Sequence, residues 1–125
     1  MRTPYQEFPE YHTSDDNLDL IKKEKLLDSF LKYLEIIFVI ENNRKFKNLN
    51  PKCEPNLGKR GLYNLIGAGN KKDDETKAIV WLLNFSDGEH SLVDISLKSG
   101  LPFVLLSNLA NVLVEKNLLK EIMIS

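Results

Sequence analysis

One short stretch of the sequence combines the residue types that zinc chemistry uses. His12 precedes a predicted helix, and Asp15 and Asp16 follow it within about one turn. A neutral imidazole is a common metal ligand, and neighbouring carboxylates can orient the ring and fix its tautomer. The same residues also suit a helix N-terminus, with Thr13 or Ser14 as the cap and acidic residues in the first turn. The residue types leave both interpretations open, a metal ligand or a helix cap with an incidental histidine.

Two elements must position this stretch. Residues 1–16 contain two prolines and no helical periodicity, which predicts extended chain. A long helix follows, because apolar residues recur at spacings of three and four; they are Leu26, Leu27, Phe30, Leu31, Leu34, Ile37 and Phe38. From residue 36 to 40 the helix is apolar on every side, and such a helix is normally buried all round. Either a partner or the rest of a larger domain covers it, or the loop that follows does.

Residues 44–72 predict a turn-rich connection, since they include two prolines and four glycines. This length is unusual for a loop without structure, so the segment is either a linker or a stretch docked on another surface. Its basic residues suit an anion site or, more commonly, a solvated loop; they include Lys59, Arg60, Lys71 and Lys72.

Residues 73–125 predict a helix, a short helix, a tight turn, a longer helix and a strand. That order is typical of a helix-turn-helix with the start of a wing. Each boundary has a local signal. These signals are an Asp-Gly turn at 87–88, a capping box of Ser91 with Asp94, a glycine cap at Gly100, and Pro102 as the first residue of the third helix.

The charges of this module argue against DNA binding. Residues 73–125 have a net charge of −4, from four lysines against eight acidic residues. The third helix, which extends from Pro102 to about Glu115, contains no lysine or arginine. Its predicted outward residues are Ser107, Asn108 and Asn111, and phosphate contacts need cations. We therefore predict a module used for packing or dimerisation, without a nucleic-acid site.

Composition sets the broad class of the protein. The chain has 125 residues, a net charge of −1 and one cysteine, Cys53, which excludes an internal disulfide framework and a cysteine-rich zinc site. The apolar run at 36–40 is too short to span a bilayer, and the N-terminus lacks the apolar block of a signal peptide. We expect a cytoplasmic protein with no membrane partner.

Several segments together resemble a known family. They are Arg2-Thr3-Pro4-Tyr5, Phe8-Pro9-Glu10-Tyr11-His12-Thr13-Ser14, Asp16-Asn17-Leu18, Glu41-Asn42-Asn43-Arg44, Asn48-Leu49-Asn50-Pro51, Glu54-Pro55 and Leu57-Gly58-Lys59-Arg60-Gly61-Leu62-Tyr63. Over essentially the whole chain, the sequence resembles the C-terminal third of bacterial aminopeptidase-like proteins. Those proteins are similar to the zinc aminopeptidase and carboxypeptidase clan and have an appended winged helix. The family often has glycine at the position of Gln6 and near Cys53, and these departures fall in loops.

The resemblance implies a role for His12. In the clan, a late histidine followed by threonine supplies the last metal ligand, and an aspartate follows four residues after it. His12 matches this ligand and Asp16 matches the trailing aspartate, while Asp15 and Tyr11 are candidates to tune the ligand or to lie near the substrate. The clan's other ligands and its general base lie far upstream. The resemblance therefore implies zinc in a full-length parent, but no catalytic residue, no tight zinc binding and no activity in this chain alone.

These observations predict an α+β fold that is mostly helical. Residues 1–50 would be the tail of an α/β zinc-peptidase-like domain, with an extended segment and a long helix. Residues 51–72 would be a linker or docking segment, and residues 73–125 a winged helix-turn-helix module. The partner would be the upstream catalytic domain of a parent or a second copy of the chain. The resemblance associates the parent with amide hydrolysis in polysaccharide or envelope chemistry. The alternative is a stand-alone winged-helix interaction or regulatory module that works without catalysis.

Overall fold

The computed structural model describes residues 4, 6–52, 55, 62 and 70–122, and the side chains of all these residues except 70–72. The fold is α+β and mostly helical, as predicted, and it divides into two compact units, Met1–Glu41 and Asn42–Ser125. The helices are α1 (Lys23–Asn42), α2 (Asn70–Phe85), α3 (Leu92–Ser99) and α4 (Phe103–Glu115). The strands are β1 (Lys45–Asn48), β2 (Asp87–Ser91) and β3 (Leu119–Ile122).

The stretch that precedes α1 forms successive turns, so the prediction of extended chain is wrong there. The N–H of Tyr11 donates to the carbonyl of Phe8 at 3.2 Å, and the N–H of Thr13 donates to the carbonyl of Glu10 at 3.0 Å. Each bond closes a four-residue turn, which satisfies backbone groups locally without a partner strand. The prolines bias only the residues that precede them and do not prevent these turns.

The predicted helix cap at Thr13 or Ser14 is also wrong. Asn17 caps a short 3-10 helix at Leu18–Leu20, because its Oδ1 accepts the N–H of Asp19 at 2.8 Å. The long helix α1 begins later, at Lys23. Asparagine is as good a cap as serine or threonine, so local sequence alone does not choose among these neighbours.

The boundary between the two units differs from the predicted one, because strand β1 belongs to the second unit. This strand is the middle strand of an antiparallel sheet with the order β2-β1-β3, and Lys45 lies opposite both Ser91 and Ile122. The second unit starts at Asn42, inside the predicted first segment (1–50) and well before the predicted module (73–125). Four residues with one buried apolar side chain, Phe46, give too short an alternation to reveal a strand from sequence.

The ends of the sheet also differ from prediction. Asp87 and Gly88 begin β2 instead of forming a free turn, whereas β3 is the strand that the sequence predicts, and it pairs with β1. Gly88 has a φ of 94°, and a Cβ on it would lie 2.9 Å from Cδ1 of Ile122. A glycine at this position therefore adopts the positive φ without strain and leaves room for the end of the Ile122 side chain.

The helix-turn-helix itself agrees with the sequence. Ser91 and Asp94 form the predicted capping box, and Gly100 ends α3 in the left-handed conformation with a φ of 70°. Pro102 is the N-cap of α4 rather than its first residue. The core of the second unit is formed by Phe46, Leu62, Ala78, Ile79, Leu82, Leu83, Leu92, Ile95, Leu106, Ala110, Leu113, Leu118 and Leu119. Within the described ranges, no helix combines the length and the apolar character that crossing a bilayer requires.

Candidate functional site

His12 lies in a turn that its neighbours hold in place. The backbone of His12 has a φ of 58°, which places it in the left-handed region, and the residue is exposed. The hydroxyl of Thr13 donates to the carbonyl of Glu10 at 2.7 Å and accepts the N–H of Asp15 at 3.2 Å. Thr13 thus fixes the turn on the C-terminal side of His12, as short hydroxyl side chains commonly do.

The Tyr11 ring lies against the imidazole, and the Phe8 ring in turn contacts Tyr11. The ring centroids of Tyr11 and His12 lie 4.1 Å apart, and those of Phe8 and Tyr11 lie 5.5 Å apart in an edge-to-face arrangement. The two contacts form a short aromatic row that ends at the imidazole. This row restricts the orientation of the His12 ring while leaving the residue open to solvent.

The described residues do not complete a metal site around His12. Among them, no three side chains of histidine, cysteine, aspartate or glutamate come together. Asp15 and Asp16 are both exposed in the turns that follow. Catalytic zinc takes about three protein ligands and a water, so one imidazole is not sufficient. The role of His12 as a ligand stays a prediction.

The outward face of α4 differs from the predicted set of polar residues. Asn108 and Asn111 are exposed, as expected, but Ser107 is only 2% exposed and belongs to the buried face. Val104 is 52% exposed, at the start of the same outward row. A row that begins with valine and has no cation is poorly suited to a phosphate backbone.

Arg44 is a residue that sequence reasoning missed. Its Nη2 donates to Oδ1 of Asn111 at 2.7 Å, and its Nη1 lies 3.2 Å from Oε2 of Glu121. Its guanidinium carbon lies 5.6 Å from the ring centroid of Phe46. Nη1 and Nη2 are therefore paired with protein groups, whereas the buried Nε has no partner among the described residues. One of the two asparagines that could read a base is already bonded to this guanidinium.

The side chains of the predicted basic cluster lie outside the described residues. Lys59 and Arg60 fall outside the described residues, and the side chains of Lys71 and Lys72 are likewise not described. An anion site at these positions stays untested.

The start of β2 holds a well-ordered pair of polar side chains. Oδ1 of Asp87 accepts the N–H groups of Glu89 and His90 at 2.8 and 3.0 Å, and its Oδ2 lies 2.8 Å from Nδ1 of His90. The N–H of His90, followed by that of Glu89, holds the pKa of Asp87 well below its usual value. Asp87 is therefore an anion that orders the first residues of the strand.

Asp94 acts in the same way at the start of α3. Its Oδ2 accepts the N–H of Ser91 at 2.8 Å and the hydroxyl of Ser91 at 2.7 Å. The N–H, followed by the hydroxyl, lowers the pKa of the Asp94 carboxyl. Asn43 adds a further cap, because its Oδ1 accepts the N–H of Val93 at 3.0 Å. These groups satisfy the N-terminal turn of α3 within the protein and leave no anion site there.

A cavity of about 550 Å³ lies between β1 and the second half of α2. Its charged groups are already engaged, since Nζ of Lys47 donates to the carbonyl of Asp87 at 2.8 Å. Nδ2 of Asn48 donates to the carbonyl of Leu83 at 2.7 Å. These polar side chains stabilise the wall of the cavity, and none of them is arranged for acid–base or nucleophilic chemistry.

Family comparison agrees with this architecture. Residues 44–121 match the winged helix-turn-helix family, which accounts for more than half of the chain, so the chain belongs to that family. Residues 1–43 match a second family, described as a domain of unknown function, DUF4910. The junction between the two matches lies close to the division between the two compact units.

Individual relatives extend the comparison. The chain is 51% identical over 120 residues to a Clostridium acetobutylicum protein named as a polysaccharide biosynthesis protein with an aminopeptidase-like domain. That match covers 96% of this chain and 27% of the relative. A crystal structure described as a peptidase of Clostridium acetobutylicum is 48% identical, with a TM-score of 0.77, over 92% of this chain and 24% of that one. The chain thus spans about a quarter of the length of these relatives.

Proposed function

We propose that this chain is part of an aminopeptidase-like metallohydrolase and contributes His12 as one zinc ligand. The observation that supports this most directly is the 51% identity over 96% of the chain to a protein with an aminopeptidase-like domain. The exposed His12, held between the Tyr11 ring and the Thr13 turn, suits a ligand presented to groups outside the described residues. The remaining ligands and the general base then come from a peptidase-like region, and the chain alone is inactive.

The substrate class follows from the relative's name and from the resemblance. The relative is named for polysaccharide biosynthesis, and aminopeptidase-like chemistry acts on an amide bond. We infer an amide-bearing substrate from polysaccharide or envelope chemistry. The lone cysteine fits a reducing compartment, and we place the protein in the cytoplasm.

The winged helix-turn-helix unit serves protein interaction in this proposal. The outward row of α4 has no cation, and the nearby Arg44 is paired with Asn111 and Glu121. A surface of this kind favours protein contacts over nucleic acid, because nucleic-acid affinity depends on lysine and arginine at phosphates.

A stand-alone interaction module is the second candidate. It is favoured by the second unit, which has its own hydrophobic core and a three-stranded sheet. Such a module would work without zinc and without a peptidase-like region.

Zinc content separates these two candidates. The test protein is a chimera in which this chain replaces the matching quarter of the Clostridium acetobutylicum relative. We expect the chimera to bind zinc and to lose it in His12→Ala, while His90→Ala, the control, retains it. The chain alone is measured beside it and should bind no stoichiometric zinc. Full zinc occupancy in the His12→Ala chimera would refute the ligand role, and a metal-free but folded chimera would favour the stand-alone module.

A further inference from the structure

The hydroxyl of Ser86 is a buried polar group that the fold leaves without a hydrogen bond. Ser86 directly follows α2 and is 2% exposed, and its Oγ has no hydrogen-bond partner among the described residues. The backbone of Ser86 is engaged, because its N–H donates to the carbonyl of Leu82 at 3.0 Å and its carbonyl accepts the N–H of Asn48 at 2.7 Å. A buried hydroxyl without a partner is unfavourable, so this one calls for a functional explanation.

Ser86 lies in the wall of the cavity between β1 and α2, where a ligand can supply the missing bond. The cavity has a volume of about 550 Å³, which is within the range of small-molecule sites. The hydroxyl oxygen itself exposes less than 1 Å², and a change of the serine rotamer can turn it toward a ligand. A ligand in this cavity therefore gains a hydrogen bond that the free protein does not make.

The cavity wall combines apolar surface with neutral amides. Pro51, Val80 and Leu83 supply apolar surface, and the side chain of Val80 is one of the exposed large apolar groups. Asn50 and Asn84 add side-chain amides, each of which can both donate and accept hydrogen bonds. This set of side chains matches a ligand that has an apolar part and several neutral hydrogen-bonding groups.

The charges around the cavity disfavour an ionic ligand. The last turn of α2 has no basic residue, and the C-terminus of a helix carries partial negative charge, which repels an anion. Lys47 brings an ammonium group to the same wall, which opposes a cation, and its Nζ donates to the carbonyl of Asp87 at 2.8 Å. The Asp87 carboxylate accepts the N–H groups of Glu89 and His90. The ligand that fits is therefore uncharged.

We propose that this cavity binds an uncharged, N-acylated sugar unit. The acyl methyl group packs on Val80 and Leu83, the acyl amide pairs with the side-chain amides, and a sugar hydroxyl bonds to Ser86. The choice of an amide-bearing saccharide rests on the proposed function, which the cavity extends by a second place of substrate recognition. This site belongs to the second unit and requires neither His12 nor zinc.

Titration of the whole chain with N-acetylglucosamine, followed by NMR chemical shifts, tests the site. We expect saturable binding with a Kd on the order of 1 mM, since the ligand has only about 15 non-hydrogen atoms. Glucosamine has a cationic ammonium in place of the acetamide, and it should bind at least about tenfold more weakly. N-acetylalanine amide, an uncharged mimic of a peptide, lacks the sugar hydroxyls and should also bind at least about tenfold more weakly.

Two variants separate ligand binding from folding. Ser86→Ala removes the unpaired hydroxyl, so we expect the midpoint of urea denaturation to stay the same or rise while binding weakens by about 3–10-fold. Asn84→Ala should weaken binding by a similar factor of about 3–10. Asn108→Ala is the matched control, because Asn108 is an exposed asparagine on α4 and does not line the cavity, and it should leave the Kd unchanged.

Three outcomes would overturn the saccharide site. They are the absence of saturable binding, an equal affinity for the peptide mimic, and an equal effect of Asn84→Ala and Asn108→Ala. A loss of stability in Ser86→Ala would overturn the role of its hydroxyl, because it would show that this group already makes a structural bond. His12→Ala should bind the sugar as the wild type does. A chimera without zinc would thus refute the metallohydrolase proposal alone, whereas normal zinc content without sugar binding would refute the cavity site alone.

Discussion

Arg44 donates from Nη2 to Oδ1 of Asn111 at 2.7 Å, which connects the residue before β1 to the outward face of α4. The same guanidinium lies 3.2 Å from a carboxylate oxygen of Glu121 on β3. One cation thus joins the entry to the sheet, the third helix of the helix-turn-helix and the last strand. On the outward face of α4, the side chain of Asn111 is therefore engaged in a contact that stabilises the second unit.

Replacing Arg44 should destabilise the second unit. Arg44→Ala removes a hydrogen bond and a partly exposed ion pair, and we expect a loss of about 1–2 kcal/mol in the free energy of unfolding. Lys120→Ala, next to Glu121 on the same strand, should change it by less than about 0.5 kcal/mol. Urea denaturation of both variants checks this, and equal midpoints would show that the Arg44 contacts contribute no net stability.

The helix-turn-helix should not bind DNA at physiological salt. We expect fluorescence anisotropy with a labelled duplex to show no saturable binding up to about 100 µM protein, since non-specific binders typically reach 10⁻⁴–10⁻⁶ M. Lysines at three exposed positions of α4, Val104→Lys, Asn108→Lys and Glu115→Lys, should introduce weak binding with a salt slope of roughly −2 to −3. A steep salt slope in the wild-type protein would contradict the assignment to protein contacts.

Low pH should reduce the free energy of unfolding of the second unit, because Asp87 and Asp94 become protonated. Both have a lowered pKa in the fold, so their stabilisation is complete above the unfolded pKa, near 3.8, and is lost as the pH falls through the lower folded values. Asp87→Asn and Asp94→Asn should flatten the stability profile in this acidic range. Glu89→Gln is the control, because the Glu89 side chain takes no part in these bonds. Urea midpoints between about pH 2 and pH 6 test this, and an unchanged profile in both Asp variants would refute it.

Ser91 provides a separate test of the helix cap. Ser91→Ala removes the hydroxyl that accepts the N–H of Asp94, and we expect a loss of about 1 kcal/mol at neutral pH. Ser91→Asn should recover most of that loss, since asparagine is an equally good N-cap. Equal stability of the two variants, measured by urea denaturation, would argue that the capping box contributes little.

Alanine should destabilise the second unit by different amounts at Gly88 and Gly100, the two described glycines with a positive φ. Gly100→Ala meets open space, so it adds only the strain of the left-handed conformation, about 1–2 kcal/mol. Gly88→Ala adds a Cβ that would lie 2.9 Å from Cδ1 of Ile122, and we expect a larger loss. Because that atom ends a flexible side chain, Ile122→Val should recover part of the loss in the double variant. Thermal unfolding of the wild type, the three single variants and the double variant tests this, and a loss in Gly88→Ala that Ile122→Val does not reduce would rule out the contact.

Local signals in the sequence determined the helix-turn-helix. The capping box of Ser91 with Asp94 and the glycine cap at Gly100 depend on residues within a few positions, so the residue types alone specify them. The periodicity of α1 is equally local, and it predicted both the helix and an unusual need for cover. The residue types singled out His12, and the resemblance to a family implied that it is a metal ligand. That role stays a prediction.

Only the tertiary structure decided which distant residues meet. Arg44 contacts Asn111 and Glu121 across 67 and 77 positions of sequence, and no local pattern marks such pairs. Strand β1 is a strand because β2 and β3 lie beside it, since its own four residues have little intrinsic pattern. Ser107 is buried because α4 packs on the core through that side. Short-range rules fix caps and periodicity, whereas pairing and burial depend on the energy of the whole packed unit.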